Sequence, residues 1–215
     1  MIKRAILRMA RGITALSLRA LYSRDPHQEK DMRQLTSLGF QRSLDLGSGP
    51  VPKNPFAAQK IYGVDIRSYD QAAGRIRKCN LVTDAIPFED AYFDSVTAYD
   101  VLEHIPRVWY RGKEQIFPVV SVMNEVWRVL KKEGYFFSIT PCYPMKQAFQ
   151  DPTHVNIMTE DTLRLYFCEK AWARIYGFEG TFVLVDEGWH GSHYWCLMRK
   201  NAEHRVGDRD SPQRP

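Results

Sequence analysis

From about residue 40 onward, short runs of β-branched and aromatic residues alternate with helix-like periodic segments. That alternation is the mark of a parallel sheet with helices on its faces. Runs at residues 41–46, 60–65, 77–82, 93–99 and 135–140 predict five strands, and two more are expected at 181–186 and 193–199. Between the fourth and fifth, Val120, Met123, Val126, Trp127 and Leu130 recur at helical intervals. They predict a helix over residues 117–130, closed by Lys131, Lys132 and Glu133 and then Gly134. A further helix is expected over 159–176, with Thr159 as N-cap and Glu160 and Asp161 in its first turn.

Length and composition narrow this to one α/β domain. The chain has 215 residues, enough for one well-buried core and short for two. At 44% hydrophobic and 26% charged it is of the ordinary globular kind, and no apolar stretch approaches the roughly 18–20 residues a spanning helix needs. Cys79, Cys142, Cys168 and Cys196 lie far apart with no Cys-x-x-Cys pair. That argues against a zinc ribbon or a disulfide framework and for a reduced, cytoplasmic setting.

The net charge of +5 is unevenly placed. Lys3, Arg4, Arg8, Arg11, Arg19 and Arg24 all precede the first acidic residue, Asp25, while Ile2, Ile6, Met9, Ile13 and Leu16 recur at helical spacing. Residues 1–35 are therefore expected to form a basic amphipathic helix whose apolar stripe covers the core domain, residues 36–200. The competing reading is a peripheral contact of residues 1–24 with anionic headgroups at the inner membrane face. Arg8, Arg11 and Arg19 interrupt the apolar run and leave no signal-peptide h-region. Residues 201–215 are polar and charged and are expected to be a disordered tail.

The most informative segment is Asp45-Leu46-Gly47-Ser48-Gly49-Pro50, directly after the first strand. Glycines there let the backbone turn sharply and approach a ligand closely. Asp65 ends the next strand, where a carboxylate can accept hydrogen bonds from both ribose hydroxyls of a nucleoside. A dinucleotide fold wants a third glycine and a helix N-terminus facing a pyrophosphate. Pro52-Lys53-Asn54-Pro55 occupies that stretch, so a pyrophosphate seat is disfavoured.

These motifs, with Val64-Asp65-Ile66, Ile86-Pro87-Phe88-Glu89-Asp90, Phe93-Asp94, Leu102-Glu103-His104-Ile105 and Arg128-Val129-Leu130-Lys131-Lys132-Glu133-Gly134, resemble the ordered motif series of class I S-adenosylmethionine-dependent methyltransferases of the type 11 kind. The resemblance spans roughly residues 41–140. It implies a Rossmann-like seven-stranded sheet of order 3-2-1-4-5-7-6 with an antiparallel last strand, helices on both faces and S-adenosylmethionine as cofactor. The prolines after Gly49 imply a first crossover helix that is shortened or missing. Carried over residue by residue, Asp45, Gly47, Ser48 and Gly49 would line the methionine moiety and Asp65 would hold the ribose. Ile66 would pack on the adenine face, Tyr99 would border the pocket, and Asn80, Leu81 or Asp84 would meet the adenine amine.

A hydroxyl acceptor must lose a proton as it attacks, so a base should stand near the transferred methyl. The candidates are His154, with Asp151 to orient it, in the long loop after the fifth strand, and His104 after the fourth. His104 is the lesser candidate, read as shaping the cofactor pocket. No metal is expected: no carboxylate cluster lies at 140–156, and His190 and His193 read as surface residues of a turn. The Asn/Asp-Pro-Pro-aromatic motif of amine-methylating nucleic-acid enzymes is replaced here by Tyr99-Asp100-Val101-Leu102. Nucleic acid is thus disfavoured as a partner, although Arg107, Trp109, Tyr110 and Arg111 keep it as an alternative, alongside a binding protein without catalysis. The Pro-Thr-His loop and Thr159-Glu160-Asp161-Thr162-Leu163 resemble bacterial small-molecule and sugar O-methyltransferases, which implies a small-molecule or glycan hydroxyl as acceptor.

Overall fold

The computed structural model describes residues 38–69 and 74–201. The expected N-terminal helix and, beyond Asn201, the expected tail lie outside these residues. Strands β1 (Arg42–Leu46), β2 (Lys60–Asp65), β3 (Ile76–Lys78), β4 (Phe93–Tyr99), β7 (Leu130–Pro141), β8 (Phe182–His190) and β9 (His193–Lys200) form one sheet. Its order is β3-β2-β1-β4-β7-β9-β8, parallel as far as β7, with β9 antiparallel to both neighbours. The small hairpin β5 (Trp109–Arg111) and β6 (Glu114–Ile116) stands apart. With it set aside, the order is the expected one. Among the described residues no helix is long and apolar enough to cross a membrane.

Helix α1 (Pro118–Val129) packs one face of the sheet, burying Val120, Met123 and Val126 against a cluster that includes Leu44, Val96 and Phe136. Pro118 opens it, where its missing N–H costs nothing. Phe40, Phe56, Phe137, Ile139, Trp195 and Leu197 form a smaller cluster on the opposite side. Between β1 and β2 the described chain forms turns and no helix, as the prolines imply.

Three expected elements differ. The third strand, expected over 77–82, is only Ile76–Lys78, and the chain turns at 81–83. The helix ends at Val129, and Leu130 is already extended, starting β7 five residues earlier than expected. Glu133 adopts a φ of 60° beside a register shift opposite Phe93 and Ser95. Gly134 fits there because a Cβ would lie 2.9 Å from the Lys131 carbonyl oxygen. What closes the helix is Lys200, whose Nζ donates to the carbonyls of Trp127 and Leu130 at 2.7 Å each. The segment 159–176 is not one helix either. It divides into α2 (Asp161–Leu163), a π-helical stretch Arg164–Glu169 and a 3₁₀ stretch Trp172–Tyr176, broken at Ala171 with φ 47°. The wide turn lets the adjacent Phe167 and Cys168 both face the core. Thr159 does not cap it by side chain; its N–H donates instead to Thr162 Oγ1.

Arg128 explains why two of the motifs occur together. Its guanidinium donates to the Ile86 and Phe88 carbonyls and to the carboxylates of Glu125 and Asp90. It thereby fixes the turn that feeds β4. Asp94 acts similarly at the start of β4, accepting from the N–H groups of Gln41 and Arg42.

Candidate active site

The loops after β1, β2, β4 and β7 all leave the carboxyl edge of the parallel strands, where ligands of such sheets bind. Gly47 and Gly49 have φ of 59° and 58°, conformations that disfavour any side chain. A Cβ on Gly47 would lie 2.5 Å from Val101 Cγ2, whereas one on Gly49 would project into open space. The first glycine seats the loop and the second leaves a cradle. Ser48 N donates to the Val64 carbonyl, and Gly49 N donates to Asp65 Oδ2 at 2.9 Å. Asp65, 5% exposed, also accepts from the Arg67 N–H at Oδ1. Beside it Ile66 is 61% exposed, an apolar surface at a strand end.

Asp45 lies beneath this loop, accepting from Lys53 N and Thr97 Oγ1. Burial raises its carboxyl from 3.8 to about 6, against the lowering effect of those two bonds and of the Lys53 charge. An acid held above its unfolded value binds its proton more tightly when folded. Its stabilising contribution is complete below about pH 4 and lost as pH rises to about 6, a loss of about 3 kcal/mol. Asp45→Asn keeps an acceptor for Lys53 N and offers a donor to Thr97. We expect it to raise stability at pH 7 by about 1–3 kcal/mol and to flatten the pH dependence between about 4 and 6 in urea titrations. A variant with the parent's stability and pH slope would show that the carboxyl is not strained.

The remaining expected pocket residues are disposed as follows. The Cys79 N–H donates to the Asp65 carbonyl, which sets Asn80 next to the end of β2. Asp84 binds the Asn80 N–H and Thr83 hydroxyl, and these bonds lower its pKa; Asn80 Oδ1 in turn accepts from Val82 N. Leu81 and Asp84 border a cleft of about 720 Å3 between this turn, the β5–β6 hairpin and α1. Tyr99 lies against Phe137, with the Lys53 ammonium 4.2 Å above its ring. Lys53, read from the sequence only as part of a proline-rich loop, thus closes over the Asp45 side of the sheet.

The acceptor-side candidates also converge. The rings of His104 and His154 meet edge to face with centroids 4.9 Å apart. His154 Nδ1 is 3.2 Å from the Ala148 carbonyl, and His104 Nδ1 is 3.2 Å from the Thr153 carbonyl. A carbonyl only accepts, so each Nδ1 carries the proton and each Nε2 carries a lone pair. Asp151 orients His154 less directly than expected. It lies 3.9 Å from Nε2, beyond hydrogen-bond range, and its Oδ1 holds Thr153 instead. The group that fixes the ring is the Ala148 carbonyl.

Glu103 was quoted only as part of a motif, yet it is central here. It is 1% exposed; Oε2 accepts from Thr140 at 2.6 Å while Oε1 has no hydrogen-bond partner, and its carbonyl accepts from the N–H groups of Val155 and Asn156. Burial raises its carboxyl. The stretch from Val101 to His104 therefore touches the glycine loop at one end and the His154 loop at the other. His193, expected as a surface turn residue, faces Asp100 at 3.2 Å on the same edge.

A mixed sheet of this order, with a glycine loop and a strand-end carboxylate at its carboxyl edge, defines a Rossmann-like methyltransferase fold. A family model described as "Methyltransferase domain" matches residues 44–138. One chain of the complex between the Haloferax volcanii Trm112 methyltransferase activator and the putative methyltransferase aligns at TM-score 0.54 and 12% identity, covering 83% of this chain and 94% of that one. YcgJ from Bacillus subtilis aligns at 0.50 and 15%, covering 82% and 100%. A Thermotoga maritima methyltransferase, titled a possible histamine N-methyltransferase, aligns at 0.50 and 15%, covering 79% and 88%. At these identities the likeness is one of fold. No curated protein matches the chain. Residues 44–138 are thus similar to a methyltransferase domain, and the sheet has the fold of class I S-adenosylmethionine-dependent methyltransferases.

Proposed function

We propose that this enzyme methylates a hydroxyl of a small-molecule or glycan acceptor, with His154 as the base. The observation that carries it is the proton placement on His154: Nδ1 is tied to the Ala148 carbonyl, so Nε2 stands ready to accept a proton. Asp65 would hold the ribose, Ile66 the adenine face and the Gly47–Gly49 loop the methionine moiety. The open space at Gly49 and the exposed Ile66 side chain support this. The cofactor supplies an electrophilic methyl on a sulfonium. The protein's share is alignment of the acceptor oxygen and removal of its proton. Exposed Tyr143, Phe149 and Val155 around the His154 loop offer apolar contacts for the acceptor's body.

Methyl-labelled cofactor incubated with the enzyme and cell extract should place the label in ether-linked methyl groups of a small-molecule or saccharide fraction. Label recovered on nitrogen would refute the hydroxyl reading. With the acceptor in hand, His154→Ala should lower turnover by roughly 100- to 10,000-fold, with S-adenosylhomocysteine affinity kept within about twofold. Full turnover would end its role as base. The rival nucleic-acid reading loses support from the hairpin itself. Arg107 is bound to Asn156 and Arg111 to Glu114, so each would first have to share or release that partner to bind a phosphate.

A further inference from the structure

We propose that Glu103, His104 and His154 form a binding site for a divalent cation. One ligand atom from each of the three lies within 4.8 Å of the others. Two further features point the same way. His154 donates its Nδ1 proton to the Ala148 carbonyl, and His104 donates its Nδ1 proton to Thr153, whose hydroxyl (3.0 Å) and carbonyl (3.2 Å) both face it. Metal-binding imidazoles are usually held in this manner, since it fixes the tautomer and turns the other nitrogen's lone pair outward. The second feature is Glu103, a buried carboxylate with one oxygen bonded to Thr140 and the other without any partner. A buried carboxylate oxygen so placed needs either a proton or a cation.

The donor set selects the ion's class. Two imidazoles and one carboxylate suit zinc and its neighbours cobalt(II), manganese(II) and iron(II), rather than calcium or magnesium, which favour oxygen ligands. Zinc holds such atoms tetrahedrally at about 2.0–2.2 Å, which sets them about 3.3–3.6 Å apart. Closing from as much as 4.8 Å takes side-chain shifts of roughly 1 Å. Three protein ligands leave a coordination position open, as in catalytic rather than structural sites. On the hydroxyl-methylation reading, on which only this role rests, the open position takes the acceptor oxygen and eases its deprotonation. With the ion bound, His154 serves as a ligand and the hydroxyl proton leaves to solvent water; the role of His154 as base belongs to the ion-free enzyme. Sequence spacing alone conceals the trio, because Glu103 and His104 precede His154 by some fifty residues and a whole sheet strand.

The test uses the full-length protein, stripped with a chelator and titrated with zinc and with cobalt(II) by calorimetry and visible absorption. One ion per chain is expected, with cobalt d–d bands of an imidazole-containing site. Glu103→Gln and His154→Ala should each weaken binding by more than about 100-fold, beyond the usual loss from an outer-shell partner. His104→Ala alters an exposed side chain and keeps the test decisive should the buried variant fail to fold. S-adenosylhomocysteine affinity should hold within twofold in all three. Absence of saturable binding would overturn the site and assign a proton to Glu103; undiminished binding in the variants would place the ion elsewhere and overturn it equally. Cation binding that depends on the trio, together with methyl label on nitrogen, would uphold the site and refute only the hydroxyl reading.

Discussion

Asp65→Ala is expected to weaken S-adenosylhomocysteine binding by roughly 100-fold or more. A buried carboxylate that accepts two ribose hydroxyls contributes about 1.5–3 kcal/mol per bond, and about 2.8 kcal/mol is already a hundredfold in affinity. The loss has a second source. Asp65 Oδ2 accepts the Gly49 N–H and Oδ1 the Arg67 N–H, so alanine also releases the loop that forms the cradle. Calorimetry measures the total, and the melting temperature separates the two parts. A fall in affinity with unchanged melting locates the loss in ribose contact, whereas a fall in both includes the loop. Affinity within twofold of the parent would contradict the role assigned to this carboxylate.

Gly47→Ala should be the most damaging single methyl in the described structure's cofactor loop. Two costs add. A left-handed backbone at a non-glycine residue costs about 1–2 kcal/mol, and forcing an atom into a packed contact costs about 1–3 kcal/mol more. The contact is specific: Val101 Cγ2 lies 2.5 Å from where the new carbon would be. The melting temperature should fall by roughly 5–15 °C. Val101→Ala in the same chain should recover the packing part but not the backbone part, giving a favourable coupling in a double-mutant cycle. Additive losses would disprove the contact. Gly49→Ala makes the contrast, because it shares the backbone strain at φ 58° but meets no atom. It should cost less stability and a larger share of cofactor affinity.

Much of this was legible from the amino acids because the relevant signals are local. Runs of β-branched and aromatic residues marked the sheet strands to within a few residues, and the glycine loop and Asp65 lie, as expected, at the carboxyl ends of β1 and β2. The resemblance added the strand order. What escaped was nonlocal. Nothing near Val129 indicates that Lys200, some seventy residues on, will cap its helix. The broken segment at 161–176 reads as a regular helix because tertiary burial of Phe167 and Cys168 overrides propensity. The short hairpin at 109–116 turns at Gly112, φ 65°, and a single glycine between two three-residue strands is too little to mark a hairpin in sequence. At the site, Asp151 looked like the natural partner of His154 by sequence proximity, yet a backbone carbonyl, which no side-chain pattern reveals, holds the ring. Glu103 stood in plain view inside a motif. Its significance depends on Thr140 reaching only one of its two oxygens.

The position of β9 has a consequence for how the polypeptide is made. It emerges after β8 yet lies between β8 and β7, so β8 has no sheet neighbour until residues 193–200 exist. Until then the nascent chain presents the open edge of β7, an apolar strand with its amide and carbonyl row exposed, which is a template for pairing with other chains. Synthesis interrupted between the two, or a premature stop there, should therefore yield a sticky fragment rather than a smaller functional domain.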